Sequence, residues 1–232
     1  MTNHRLQALL KPSSIAILGA SQKSGSVGNE VVKNLVRGGF EGEIFGVNPS
    51  YDEVEGIPCY QSLAQLPKAP QHVIFAINDH RIEAALDEVV SIGIPACTIF
   101  SALIISDDST PNLKQRIATK AQDAGLLVAG ANGMGFYNVR DRVLAGGFDT
   151  RDHPYPGNVT LISQSGAGMS GIVDCEGRIQ FNFAVSSGYE LTVSMEDYLD
   201  YALDLPETRV VGLFLETSRH PEKLIKAFKK AN

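Results

Sequence analysis

The feature that most constrains this chain is an alternation of short, almost uniformly apolar runs with segments of helical periodicity. SIAILGA at 14–20, EIFGVNP at 43–49, HVIFAIN at 72–78, PACTIFSA at 95–102 and LLVAGA at 126–131 each read as a strand that is apolar on both faces. Between them, VGNEVVKNLVRGG at 27–39, HRIEAALDEVVSIG at 80–93 and PNLKQRIATKAQDAG at 111–125 carry helical spacing and end on glycine. A short turn, SLAQL at 62–66, precedes Pro67. Strands apolar on both faces and joined through helices imply a parallel sheet with helices on each side, an α/β fold.

The rhythm breaks between 138 and 158, where Asp141, Arg142, Gly146, Gly147, Asp149, Arg151 and Asp152 precede an HPYPGN turn. Proline and glycine cluster where few contacts cross. A boundary is therefore expected around 155–157, dividing the chain into 1–154 and 155–232. A second alternating block follows: NVTLIS at 158–163, a helix from about Gly166, NFAVS at 182–186, a helix over MEDYLDYALD at 195–204, the strand RVVGLFLE at 209–216 and the helix PEKLIKAFKKA at 221–231. Each block places a turn rich in glycine and serine directly after its first strand.

Composition sets the remaining bounds. A chain of 232 residues accommodates two compact units, and 44% apolar with 20% charged residues excludes disorder. A net charge of −6 offers no electrostatic grip on nucleic acid or an anionic membrane. The longest uncharged runs, 89–106 and 153–173, are interrupted by glycine and proline and do not read as spanning helices. The N-terminal MTNHRLQALLK lacks the apolar stretch of a secretory signal. Cys59, Cys97 and Cys175 are far apart, and no CxxC or Cys/His cluster occurs. Free buried thiols in a reducing cytoplasm, and no metal site, are the expectation.

Chemistry is expected at the two turns. In the first, Gly19, Ala20, Gly25 and Gly28 are small enough for the chain to fold tightly and for a ligand to touch backbone amides. The helix beginning at Val27 would aim its N–H groups and partial positive charge at a phosphate. The pattern is not GxGxxG, because Ser21 stands in place of a glycine and the spacing is longer. A nicotinamide-adenine fold also wants an acidic residue after the second strand. This chain offers Val47-Asn48-Pro49-Ser50 there, so an adenine nucleotide without a free ribose diol fits better. In the second turn, Ser163, Gln164, Ser165 and Gly166 bring hydroxyls and amides together at a helix start. That pattern serves phosphate handling and an ordinary serine cap equally well.

Taken together, LLKPSSIAILGASQKSGSVGNEVVKNLV at 9–36, FGVNPSYDEVEGIPCYQSLAQLP at 45–67 and LISQSGAGMSGIVD at 161–174 resemble the NDP-forming acyl-CoA synthetases, a family similar to the α subunit of succinyl-CoA synthetase. The resemblance covers about 9 to 231. It implies a Rossmann-like CoA-binding domain followed by a flavodoxin-like ligase domain. It places Ser21, Lys23 and Ser26, then Asn48, Pro49 and Ser50, Ile77 and Asn78, Ser101 and Ala102, and Asn132 and Gly133 at the coenzyme A site. The reaction so implied converts a carboxylic acid, CoA and ATP into acyl-CoA, ADP and phosphate through an acyl phosphate and a phosphohistidine. ATP, ADP and Mg belong to an ATP-grasp lobe or a β-type subunit. By the same resemblance the 163–166 turn handles phosphate, and Glu216, at the end of the strand 209–216, orients the histidine.

The departures are as informative. The His-Thr-Gly segment that carries the family's histidine does not occur in these 232 residues, and His220, just before Pro221, matches no part of it. Gly130-Ala131-Asn132-Gly133-Met134-Gly135 replaces the usual Gly-Pro-Asn-Cys-Leu-Gly. Ser50 stands where relatives carry a lysine, and Ser101-Ala102-Leu103-Ile104 replaces Ser-Ala-Gly-Phe. An alternative function is therefore a non-catalytic CoA or acyl-CoA sensor of the kind fused to acetyltransferases, and a third is an NAD(P)-dependent enzyme. Self-association is left open. Ser165 lacks the leading glycine of a GxSxG elbow, and Asp197, Asp200 and Asp204 read as a solvated helix face.

Overall fold

The computed structural model describes residues 4–175 and 177–231, the side chain of Cys175 excepted, so the expectation for that thiol lies outside the described residues. The first unit runs α1 (Gln7–Leu10), β1 (Ser14–Leu18), α2 (Val27–Arg37), β2 (Glu43–Val47), β3 (Glu53–Val54), β4 (Ile57–Tyr60), a 3₁₀ turn (Leu63–Gln65), β5 (His72–Phe75), α3 (Asp79–Ile92), β6 (Ala96–Ile99), α4 (Leu113–Asp123) and β7 (Leu127–Gly130). Its sheet has the order β3-β4-β2-β1-β5-β6-β7 and is parallel except where β3 folds back on β4. Every residue of β1, β5, β6 and β7 is buried, as expected of strands covered on both faces. Leu18 pairs with both Val47 and Phe75, so β1, β2 and β5 end together at one sheet edge.

The second unit differs from expectation. β8 (Gly135–Asn138) and β9 (Val143–Gly146) form a hairpin that belongs to the second sheet, with β10 (Val159–Ser163), α5 (Gly166–Cys175), β11 (Phe181–Ser186), α6 (Met195–Leu203), β12 (Val210–Phe214) and α7 (Pro221–Ala231) following. The order is β12-β10-β11-β8-β9, parallel among the first three and antiparallel at β8 and β9, so this sheet is mixed. Backbone pairing therefore changes sheets before residue 135, some twenty residues ahead of the Pro/Gly-rich segment. The physical cause is local. A Cβ on Gly135 would overlap the Ala145 carbonyl, and Gly146 lies against the Tyr137 ring, so these glycines permit close hairpin pairing.

The hairpin also binds the two units. The Asn34 amide of α2 donates to the carbonyls of Gly146 (3.0 Å) and Phe148 (2.8 Å). Asn138 donates to the Leu10 carbonyl at 2.9 Å. Ile15, Ile17 and Leu35 share one buried cluster with Phe136, Phe183 and Tyr198. Each such side chain contributes about 1.5–3 kcal/mol when fully buried. Beneath the first sheet, His72 lies between the Leu9 carbonyl and the Thr98 hydroxyl, each at 2.9 Å. Burial lowers its pKa from 6.5 to about 4. Cys97 is fully buried, and burial raises its thiol pKa; Cys59 is half-buried. Among the described residues no helix is long and apolar enough to cross a membrane.

Candidate functional site

The first turn begins where β1 meets the ends of β2 and β5. Gly19 has φ +95°, and a Cβ there would overlap the Ala76 carbonyl, while a Cβ on Gly28 would overlap the Gly19 carbonyl. Glycine at both positions lets the start of α2 press against the end of β1. Ser26 caps α2: its hydroxyl accepts from Asn29 N–H at 3.4 Å, and its carbonyl takes the N–H groups of Asn29 and Glu30. No described hydrogen bond takes up the N–H of Val27 or Gly28. Both residues line a cavity of about 520 Å³ at the sheet edge. Two free amides at the positive end of a helix form a ready anion seat.

Gly19, Ser21, Ser26, Asn48, Ile77, Asn78 and Ser101 line the same cavity, which brings together all four loops read from the sequence before residue 130. The Ser101 hydroxyl oxygen is buried without a hydrogen-bond partner among the described residues. The remaining candidates lie elsewhere. Ala20 is fully buried, and its carbonyl accepts the Asn48 amide at 2.8 Å, tying the first two loops together. The Gly25 N–H donates to the Glu30 carboxylate at 3.0 Å, so that amide is held within the loop and is not offered to a ligand. Lys23, Pro49 and Ser50 are exposed outside the lining, as is half-buried Ala102. Asn132 and Gly133 also stand outside it: Asn132 N–H donates to the Ser101 carbonyl at 2.9 Å, and Gly133 packs on Ser186. Four lining residues escaped the sequence reading of the site, Phe75, Ala76, Phe100 and Arg81. A cation in the first turn of α3 opposes the helix dipole, and that was the signal that could have marked Arg81.

The second turn repeats the cap. Ser165 Oγ accepts from Gly168 N–H at 3.1 Å, Ser163 Oγ donates to the Ser165 carbonyl at 2.7 Å, and no described hydrogen bond takes up the N–H of Gly166 or Ala167. Met134 packs against Gly166 here; its Cγ lies 2.8 Å from where a Cβ on Gly166 would stand. Gln164 is a clamp. Its carbonyl oxygen accepts the N–H groups of Glu216 (2.7 Å) and Thr217 (2.8 Å), and its amide donates to the Thr217 carbonyl (2.7 Å) and to Glu190 (3.0 Å). That clamp takes the 216–217 backbone as the chain leaves the ladder. β12 ends at Phe214, and Glu216, expected at the strand end, sits two residues beyond it with an exposed side chain.

Glu190 carries the clamp and was not marked by the sequence reading. Its carboxylate is fully buried and also accepts from Ser187 Oγ (2.7 Å), Met195 N–H (3.1 Å) and Arg219 Nε (2.9 Å). The acidic helix α6 is an ion-paired seam: Asp197 meets Arg5 and Lys223, and Lys230 meets both Asp200 and Asp204. His4, Asp200 and Asp204 are close enough to share a cation, but the Lys230 ammonium already sits between the two carboxylates and pairs with each.

Comparison with known proteins decides the family. Residues 13–138 match the CoA binding domain, and residues 156–232 match the succinyl-CoA ligase like flavodoxin domain. The chain belongs to the CoA binding domain family. Among relatives of this CoA-binding chain, the ADP-forming acetate–CoA ligase of Methanocaldococcus jannaschii is 30% identical over 98% of the chain and 32% of its own length. The α subunit of ADP-forming acetate–CoA ligase I of Pyrococcus furiosus is 26% identical over 98% of the chain and 50% of its own length. The dinucleotide-forming acetyl-coenzyme A synthetase 1 of Ca. Korarchaeum cryptofilum, solved with phosphate and ADP, superposes with a TM-score of 0.87 at 25% identity, over 97% of this chain and 49% of that one. The chain thus spans about a third to a half of the relatives it matches.

Proposed function

We propose that this chain is the CoA-binding and first ligase portion of an ADP-forming acyl-CoA synthetase. In the full reaction a carboxylic acid, CoA and ATP give acyl-CoA, ADP and phosphate through an acyl phosphate and a phosphohistidine. The observation that carries the reading is the open cavity at the start of α2, where the Val27 and Gly28 amides face the space in which a pyrophosphate would lie. The chain's own work is to hold the nucleotide half of CoA there and lead its thiol end toward the second unit. The route is continuous: Ser101 bonds to Asn132, and Met134, two residues on, touches Gly166. At the second turn, Gly166 and Ala167 would offer amides to phosphate, with Glu216 on the backbone held by Gln164. The histidine and the ATP-grasp lobe with its Mg are supplied from outside these residues, and the compartment is the cytoplasm.

Calorimetric titration with CoA, acetyl-CoA and NAD at matched ionic strength tests the reading. CoA should bind and NAD should not; tighter binding of NAD would overturn it. A second reading, a non-catalytic CoA or acyl-CoA sensor, is favoured by Met134 lying over the start of α5, where phosphate would have to enter. Incubating the full-length protein with ATP separates the two: an acid-labile phosphate on histidine supports the synthetase, and acyl-CoA binding without label supports the sensor.

A further inference from the structure

The cavity is electrically one-sided. Among the described residues lining it, Arg81 is the single charged side chain; the rest are glycine, alanine, serine, asparagine and apolar groups. No hydrogen bond or ion pair to the Arg81 guanidinium occurs among the described residues. The nearby acid is turned to other work: Asp79 Oδ1 accepts the Leu103 N–H at 2.9 Å, and no ion pair joins Asp79 to Arg81 among the described residues. Arg81 is the third residue of α3, where a cation opposes the partial positive charge of the helix start. An arginine in that position without a partner suits an anion that arrives with the ligand.

CoA brings two such groups, its pyrophosphate and its ribose 3′-phosphate. The α2 amides and the capping turn already face one of them. The other needs a cation, and at the end of β2, where a cation would be at hand, Ser50 supplies none and lies outside the lining. We infer that Arg81 is the specificity-determining residue for the 3′-phosphate of CoA, reaching it from the α3 side of the cavity and distinguishing CoA from nucleotides that lack this group. A guanidinium is suited to this, since its planar fork matches two phosphate oxygens and it stays charged at any working pH. Ser101, also in the lining, adds a buried hydroxyl that has no hydrogen-bond partner among the described residues. The inference rests on the CoA reading proposed above and deepens it.

Titrating the full chain with CoA and with 3′-dephospho-CoA, as wild type, Arg81→Gln and Lys68→Gln, tests it. Wild type should bind CoA about tenfold or more tighter than dephospho-CoA, as expected for a charge-assisted contact. Arg81→Gln should lose that preference by weakening CoA and leaving dephospho-CoA unchanged, while Lys68→Gln, at an exposed lysine outside the lining, keeps it. Arg81 is exposed, so an unaltered melting temperature is expected and shows that the variant is folded. Equal wild-type affinity for the two ligands, or a preference that survives Arg81→Gln, overturns the inference and leaves the CoA reading standing. Wild type that binds neither ligand overturns both.

Discussion

The two helix-start turns are built alike and placed differently. Each follows the first strand of its block, each is capped by a serine hydroxyl, and each leaves its first two helical amides without an acceptor among the described residues. Around the first, the chain holds back: glycines at 19 and 28 remove side chains, and the amides open onto a cavity. Around the second, side chains close in, with Met134 against Gly166 and Gln164 fastened to the backbone at 216 and 217. The difference shows that a capped helix start is only a potential anion site. The neighbours decide whether a ligand can reach it. The first turn is formed by its own unit, whereas the second depends on a buried carboxylate two loops further along the chain.

That dependence gives the largest expected effect. Glu190→Ala would leave the Gln164 amide, the Ser187 hydroxyl and the Met195 N–H short of an acceptor, costing about 4 kcal/mol at 1–3 kcal/mol for each stranded group. Chemical denaturation should show this loss, while CoA affinity stays within about twofold. A variant as stable as wild type would mean that the second turn stands without its clamp, and the contrast between the turns would fail.

Acid probes the packing under the first turn. His72 titrates at about 4 in the folded protein against an ordinary 6.5, because burial disfavours its charged form. Between those values the unfolded chain binds the proton and the folded one does not. The stability His72 contributes is therefore complete above about pH 6.5 and is lost as the pH falls to about 4, amounting to about 3 kcal/mol. His72→Gln should flatten the dependence in that window. His153, close to the hairpin, is also lowered to about 4, by burial and by the Arg151 and Arg37 charges. Proton titration by NMR should therefore find both imidazoles neutral at pH 6, and a His72 resonance that titrates near 6.5 would remove the effect.

A paired substitution then compares the turns directly. Gly28→Ala forces a Cβ into the Gly19 carbonyl, a backbone atom that cannot step aside, and should cost about 2 kcal/mol together with at least about tenfold in CoA affinity. Gly166→Ala meets the Met134 side chain, which can rotate away, and should cost less than about 1 kcal/mol. Equal losses in the two variants would show that Met134 is as fixed as backbone.

What the sequence revealed follows from what each feature depends on. The strands of the first sheet were legible because burial on both faces writes itself into consecutive apolar residues such as Ile15, Ala16 and Ile17. The 135–146 hairpin was not, because glycines at its ends and charges between its strands look like loop, and its sheet is chosen by pairing of β8 with β11, about fifty residues later in the chain. The short β3–β4 hairpin was hidden for a similar reason: Glu53–Val54 is two residues long. At the site, the loops were legible from small residues after strands, but which atoms face the cavity was not. Gly25 looks like an amide donor until Glu30 is seen to occupy it, and Ala20 looks like a loop residue until its burial is known. Glu190 carries no local pattern, and Arg81 only that of a cation at a helix start; an unpaired cation and a four-fold hydrogen-bonded carboxylate are properties of the folded chain.

The smallest effect tests whether the two caps are equivalent when nothing is bound. Judged as caps alone, Ser165→Ala should cost about 1 kcal/mol and Ser26→Ala about 0.5 kcal/mol, since the Ser165 hydroxyl accepts at 3.1 Å and that of Ser26 only at 3.4 Å. Ser26, however, also donates to the Lys23 carbonyl at 2.7 Å and so closes the loop over the cavity. Urea denaturation of both variants without ligand separates these roles. If Ser165→Ala is the costlier change, Ser26 serves mainly as a helix cap and the loop is ordered by its glycines. If Ser26→Ala is costlier, the bond to Lys23 holds the loop in shape before CoA arrives, and the first turn is preorganised for its ligand in a way that the second, held from outside, is not.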